Sequence, residues 1–160
     1  MANVVKAPGK YDLRGKVGVF LAGSIEMGKA VNWQTKVEDG LEEFDEVVVL
    51  NPRRDDWDSS WEQTKDNPQF NEQVTWELQA LEDADVIVMY FDPDTKSPIT
   101  LLELGIHSHA GKLIVCCSEG FWRKGNVDIV CERYNVQQVD SLDKLIQKAR
   151  QVVGERFLWE

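Results

Sequence analysis

Positive charge is in short supply. Lys and Arg number 18 against 28 Asp and Glu, which leaves a formal net charge of −10. Such a chain repels phosphate backbones, so no nucleic-acid polymer is expected as a partner. The acid is dispersed rather than blocked and reads as a solvated surface. Long hydrophobic runs are lacking too: with no stretch of about 18 apolar residues, no transmembrane helix is expected. The N-terminus carries no charged-then-apolar-then-small pattern, so no signal peptide is expected. Cysteine is confined to Cys116, Cys117 and Cys131. None has C-x-x-C or Cys/His metal spacing, which reads as reduced thiols in a cytoplasmic protein rather than disulfides or a metal site. Internal repeats and low-complexity stretches are also missing.

What is present is an alternation of strand-like and helix-like segments in a chain of 160 residues, long enough for one domain with its own core. Val17–Ala22, Glu46–Leu50, Asp85–Tyr90 and Lys112–Cys117 read as strands, with a short fifth at Asn135–Val139. Helices are expected over Lys29–Glu43, Phe70–Asp83, Pro98–Ala110 and Ser141 to about Val153. This pattern predicts an α/β fold with a mainly parallel sheet. The domain is bounded at residues 16–153, with tails at 1–15 and 154–160. Asn51 to Pro68 reads as a long polar loop, and loops of that length are usually lids or binding loops.

In an open parallel sheet, ligands bind beyond the carboxyl ends of the strands. Three segments leave strands there: Gly23-Ser24-Ile25-Glu26-Met27-Gly28, the loop from Asn51, and Asp92 to Ser97. The first lacks the G-x-G-x-x-G or Lys-Ser/Thr signature of a phosphate cradle and fits a plain strand-to-helix turn. Asp92 and Asp94 suit either a turn or a cation. His107 and His109, two residues apart, point to different helix faces and read as surface residues. Six tryptophans, Trp33, Trp57, Trp61, Trp76, Trp122 and Trp159, are packing residues or platforms for a flat ligand. Glu103 is the residue that most invites chemistry. Ser97 is expected to cap its helix and Pro98 to start it. Ile99, Leu102, Ile106 and Ala110 share the stripe on which Glu103 is expected. A carboxylate on an apolar stripe is costly unless paired or used.

Four stretches, Phe20-Leu21-Ala22-Gly23-Ser24-Ile25, Asn51-Pro52-Arg53-Arg54-Asp55-Asp56-Trp57, Ala84-Asp85-Val86 and Ser97-Pro98-Ile99-Thr100-Leu101-Leu102-Glu103-Leu104-Gly105, resemble the nucleoside 2-deoxyribosyltransferase superfamily. The likeness is to its less characterised deoxyribosyltransferase-like branch and runs from about Lys16 to Asn135. It implies a flavodoxin-like parallel sheet of order 2-1-3-4-5 with helices on both faces. It also implies a homodimer or higher homo-oligomer whose sites borrow residues across an interface, a nucleoside or nucleotide and a free nucleobase as ligands, and no metal or organic cofactor.

By the same resemblance Glu103 is the nucleophile at C1′ and Glu77 the acid serving the base. Ser97 contacts the sugar, and Asn126 reaches its 5′ end from a neighbouring subunit. Phe20, Gly23 and Ser24 are expected substrate-binding residues. Asn51, Arg53, Asp55, Trp57 and Asp92 fill out the expected binding set. Phe20 stands where the family often has a tyrosine, Glu77 where it usually has aspartate, and Glu26 where the nucleotide hydrolases place an arginine. Ser97 matches the hydrolases, since the classical transferases have aspartate there. The leading expectation is deoxyribosyl transfer through a covalent glycosyl-Glu103 intermediate. The alternatives are hydrolysis of nucleoside 5′-monophosphates and a non-catalytic nucleotide-binding sensor.

Overall fold

The structure is a computed structural model that describes residues 1–25 and 32–158. Its elements run β1 (Asn3–Lys6), β2 (Val17–Gly23), α1 (Trp33–Leu41), β3 (Val47–Asn51), α2 (Pro68–Asp83), β4 (Val86–Phe91), α3 (Pro98–His107), β5 (Leu113–Cys117), α4 (Lys124–Arg133), β6 (Gln137–Val139) and α5 (Leu142–Leu158). The expected positions of Glu26, Gly28, Lys29 and Trp159 lie outside the described residues.

Every strand pair is parallel, and the sheet order is β1-β3-β2-β4-β5-β6. This corrects the expected flavodoxin-like sheet of order 2-1-3-4-5. The sixth strand comes from the segment expected as an N-terminal tail. Val4 and Val5 are β-branched and pair with Val49 and Leu50 at the sheet edge. With polar residues on both sides, the run is too short to announce itself in the sequence. The segment that follows is tied down as well. Trp76 Nε1 donates to the Gly9 carbonyl at 2.8 Å, and Tyr11 Oη donates to Asp83 at 2.8 Å. At the other end α5 continues to Leu158, past the expected boundary at Val153. Helix α4 was not expected. It buries only Val127 and Cys131 and has Gly125 in its first turn, so its helical periodicity is faint.

The central strands are buried on both faces, as parallel strands covered by helices must be. Their side chains alternate between two cores. Val19, Leu21, Val49 and Val88 pack against Trp33, Val37, Leu145 and Ala149 of α1 and α5. Phe20, Ala22, Leu50, Ile87 and Met89 face the other way, toward Ala80, Leu81, Leu104 and Val127 of α2, α3 and α4. Asn67 caps α2 by accepting from Phe70 N, with Pro68 in the first turn. Lys112 closes the far end of α2, its Nζ donating to the carbonyls of Leu81, Glu82 and Ala84 at 2.7, 3.0 and 2.8 Å. No described helix is long and apolar enough to cross a membrane.

Candidate active site

Two features stand out: a knot of hydroxyls at the strand ends and a pair of carboxyls, Glu103 buried on α3 and Glu77 half-buried on α2. The knot is Ser24, Thr95 and Ser97, all buried. Ser24 Oγ lies 2.8 Å from Thr95 Oγ1 and 2.6 Å from Ser97 Oγ, and Thr95 Oγ1 lies 2.8 Å from Ser97 Oγ. Asp92 N donates to Ser24 Oγ at 2.9 Å, and Thr95 Oγ1 donates to the Asp92 carbonyl at 3.0 Å. Thr95 has then used its only hydrogen and can only accept within the knot, so the two serine hydrogens serve two of the three hydroxyl contacts. The Asp92 carboxylate takes the Asp94 N–H at 2.9 Å, which makes the Asp92–Thr95 segment an Asx-type turn.

Ser97 does not cap α3 as expected. It occupies the N-cap position at φ 45, ψ 54, and its hydroxyl turns into the knot. A left-handed serine costs about 1–2 kcal/mol, which the surrounding bonds offset. The knot is held from below by Gly23 and Trp33. Trp33 Nε1 donates to the Ser24 carbonyl at 2.9 Å. A Cβ on Gly23 would lie 2.4 Å from the Tyr90 carbonyl oxygen and 2.5 Å from Trp33 Cζ2. Glycine is therefore required by close approach, not by a phosphate.

Glu103 is 6% exposed, but not for the reason its sequence suggested. Ile99, Leu102 and Ile106 face outward at 60, 60 and 52% exposure. The inward face of α3 is Thr100, Glu103, Leu104 and His107. Glu103 thus sits beside the apolar stripe, on the neighbouring face that meets the core. His107, expected at the surface, is buried there too, and burial lowers its pKa. Glu77, half-buried on α2, is close enough to raise the Glu103 pKa further. Burial and then Glu77 lift Glu103 to about 8; burial lifts Glu77 to about 7, against a hydrogen bond from Gln73 that lowers it. Two carboxyls in a dry setting cannot both ionise cheaply, so the pair keeps a proton at neutral pH.

The other expected residues divide. Phe20 is wholly buried in the core, its ring 6.4 Å from that of Trp76. Asn51 is buried and structural: Nδ2 donates to Glu38 at 2.7 Å, and Oδ1 accepts from Arg53 N at 2.9 Å. Arg53 is exposed, and Asp55 is an exposed partner of Lys6. Trp57 packs edge-on against Trp61, centroids 5.0 Å apart. Asn126 is exposed on α4. Trp122 donates to the Lys96 carbonyl at 2.8 Å and ties α4 to the loop before α3.

Sequence reasoning singled out neither Thr95 nor Gln73, and raised Arg54 only as a possible phosphate contact. Thr95 completes the knot. Arg54 pairs with Asp56 and Glu72 and lies over the Trp61 ring, organising the loop after β3. Gln73 sits one turn before Glu77 and binds the Pro52 carbonyl at 2.7 Å. Its spacing from Glu77 was the one available signal. Among the described residues no group of three His, Cys, Asp or Glu side chains is arranged to hold a metal ion.

A sequence model described as nucleoside 2-deoxyribosyltransferase-like matches residues 16–121. The chain belongs to this family. The matched span takes in β2 to β5, the hydroxyl knot and both carboxyls, and stops short of Asn126. Membership points to a nucleoside-processing enzyme with small-molecule nucleosides or nucleotides as ligands. No curated protein matches the chain.

Proposed function

We propose that the protein cleaves the N-glycosidic bond of a deoxynucleoside and transfers the sugar to a second base through a glycosyl-Glu103 ester. The observation that carries this reading is the Glu77–Glu103 pair, which holds a proton beside a carboxylate. Ionised Glu103 attacks C1′ as the C1′–N bond breaks, and the electron pair leaves with the base. Glu77 donates its proton to the departing base. A second base then attacks C1′ through a ring nitrogen as its N–H proton passes to Glu77; the ester bond breaks and its electron pair returns to Glu103 as carboxylate. In the empty site the two carboxyls share a proton. The positive charge that develops at C1′ favours the tautomer with Glu103 ionised and the proton on Glu77. Asp92 or Asp94 would be the reserve acids, although Asp92 is engaged in its turn.

The hydroxyl knot at the N-terminus of α3 supports a sugar-orienting role for Ser24 and Ser97, next to backbone N–H groups left over by the helix. Ser97, with Arg53 exposed on the loop after β3, supports a second reading: hydrolysis of a nucleoside 5′-monophosphate, with water taking the sugar. Three free, buried cysteines fit a reducing, cytoplasmic setting.

A second copy of the chain completes the proposal. Ile99, Leu102 and Ile106 form an exposed apolar row on the helix that carries Glu103. Ile129 is exposed on α4 and Trp122 just before it, and Asn126 lies one turn from Ile129 on the helix. Burying both faces against another copy would deliver Asn126 to a neighbouring site. The wild type is expected to be a dimer or larger by light scattering. Leu102→Lys combined with Ile106→Lys should leave a folded monomer with greatly reduced activity. A wild-type monomer that is fully active would contradict this.

The reaction is tested by incubating the protein with deoxynucleosides and a second free base, then separating products by chromatography and mass spectrometry. A new nucleoside that Glu103→Ala fails to make supports transfer. Free base alone supports hydrolysis, and the best substrate decides between nucleoside and monophosphate. Ligand binding without turnover leaves only a sensor.

A further inference from the structure

Gln73 carries the one buried side-chain polar atom without a hydrogen-bond partner among the described residues, its Oε1. The side chain is 6% exposed, so water does not readily satisfy it. An unmet buried acceptor costs about 1–3 kcal/mol, and such an atom beside a candidate site invites a ligand. Its orientation is not arbitrary. Nε2 donates to the Pro52 carbonyl at 2.7 Å; turning the amide over would set oxygen against oxygen. The amide also hydrogen-bonds the Glu77 carboxyl one turn along α2. With the nitrogen end engaged, Oε1 remains as an acceptor next to the acid.

We propose, building on the glycosidic reading above, that Glu77 and Gln73 together read the edge of the base, and that they select one with an exocyclic amino group beside a ring nitrogen. The protonated Glu77 offers an O–H donor, and Gln73 Oε1 offers an acceptor beside it. The complementary edge presents an acceptor followed by an N–H donor. Adenine does so with N7 and its 6-amino group, whereas a 6-oxopurine presents two acceptors there. Cytosine offers the same order at N3 and its 4-amino group. A 6-oxopurine would turn its O6 toward Gln73 Oε1, leaving two buried acceptors face to face. A site built to bond a donor rejects the analogue that lacks it far more strongly than it rejects a change of size.

The test compares deoxyadenosine, deoxyinosine and purine 2′-deoxyriboside as sugar donors. The wild type should show kcat/KM about ten- to a hundredfold higher for deoxyadenosine than for the other two. Gln73→Leu, checked for folding by circular dichroism, should bring the three within a few-fold of one another, chiefly by loss on deoxyadenosine. Equal wild-type rates on all three would overturn the role of Gln73 and leave the transferase reading standing. If no nucleoside turns over, calorimetry with free adenine and hypoxanthine decides the matter without catalysis. Adenine bound at least tenfold more tightly, with the preference lost in Gln73→Leu, sustains the base-reading pair. Equal or undetectable binding of both overturns it.

Discussion

Glu103→Gln is expected to abolish turnover and, at the same time, to make the protein more stable at alkaline pH. The loss of activity should be at least about a thousandfold, because an amide cannot form the glycosyl ester. The gain in stability follows from the cost of burying the carboxyl. Glu103 is lifted from 4.5 to about 8 by burial and by Glu77. The unfolded chain releases this proton above about 4.5, while the folded chain keeps it until about 8. Across that interval the native state binds more protons than the unfolded state, so wild-type stability falls as pH rises. Glutamine has no proton to lose and fills nearly the same volume. Its advantage should be small near pH 4 and reach about 1–3 kcal/mol above pH 8, with Tm rising by roughly 2–4 °C per kcal/mol. Thermal unfolding of both proteins over that range measures it. A variant less stable than the wild type at every pH would mean that Glu103 is an indispensable structural partner rather than a strained functional group.

Gly23→Ala should have an effect as large, through packing. The new methyl would meet the Tyr90 carbonyl oxygen at 2.4 Å and the buried Trp33 ring at 2.5 Å. One obstacle is strand backbone. The other is a wholly buried ring whose nitrogen anchors Ser24. Neither can yield without moving the hydroxyl knot. A loss of about 2–4 kcal/mol is expected, together with a marked fall in kcat/KM. Gly154→Ala is the control. Nothing lies within 4 Å of its added methyl, in the interior of α5, so it should be neutral or stabilising by about 0.5–1 kcal/mol. Denaturant unfolding of both variants would show the contrast. Equal stabilities would mean that the Gly23 turn is slack.

The contrast between Gly23 and Glu103 shows what was legible in the sequence. The central strands announced themselves as continuous apolar runs, because burial on both faces leaves little room for polar residues. The edge strand β1 and the helix α4 bury so little that neither left a periodic trace. The order of the sheet could not be had without β1. Glu103 was singled out by its residue type and its place after β4, yet the apolar stripe that drew attention to it faces outward. Helical spacing alone cannot say which of two neighbouring faces meets the core when one of them is prepared for another surface. Ser97 was expected to cap α3. Its left-handed backbone and its bond to Ser24 depend on contacts more than seventy residues away along the chain. Gln73 was invisible for a similar reason: an orphaned oxygen is a property of the folded chain, not of its composition.

The central claim is the glycosyl-Glu103 ester, and it can be observed directly. The protein would be mixed with a turned-over deoxynucleoside in the absence of an acceptor base, quenched in acid, and analysed by intact-mass and peptide mass spectrometry. The account predicts a deoxyribosyl adduct on the peptide containing Glu103, discharged by an added free base and missing from Glu103→Gln. Turnover with no adduct, or an adduct elsewhere that persists in Glu103→Gln, would contradict it.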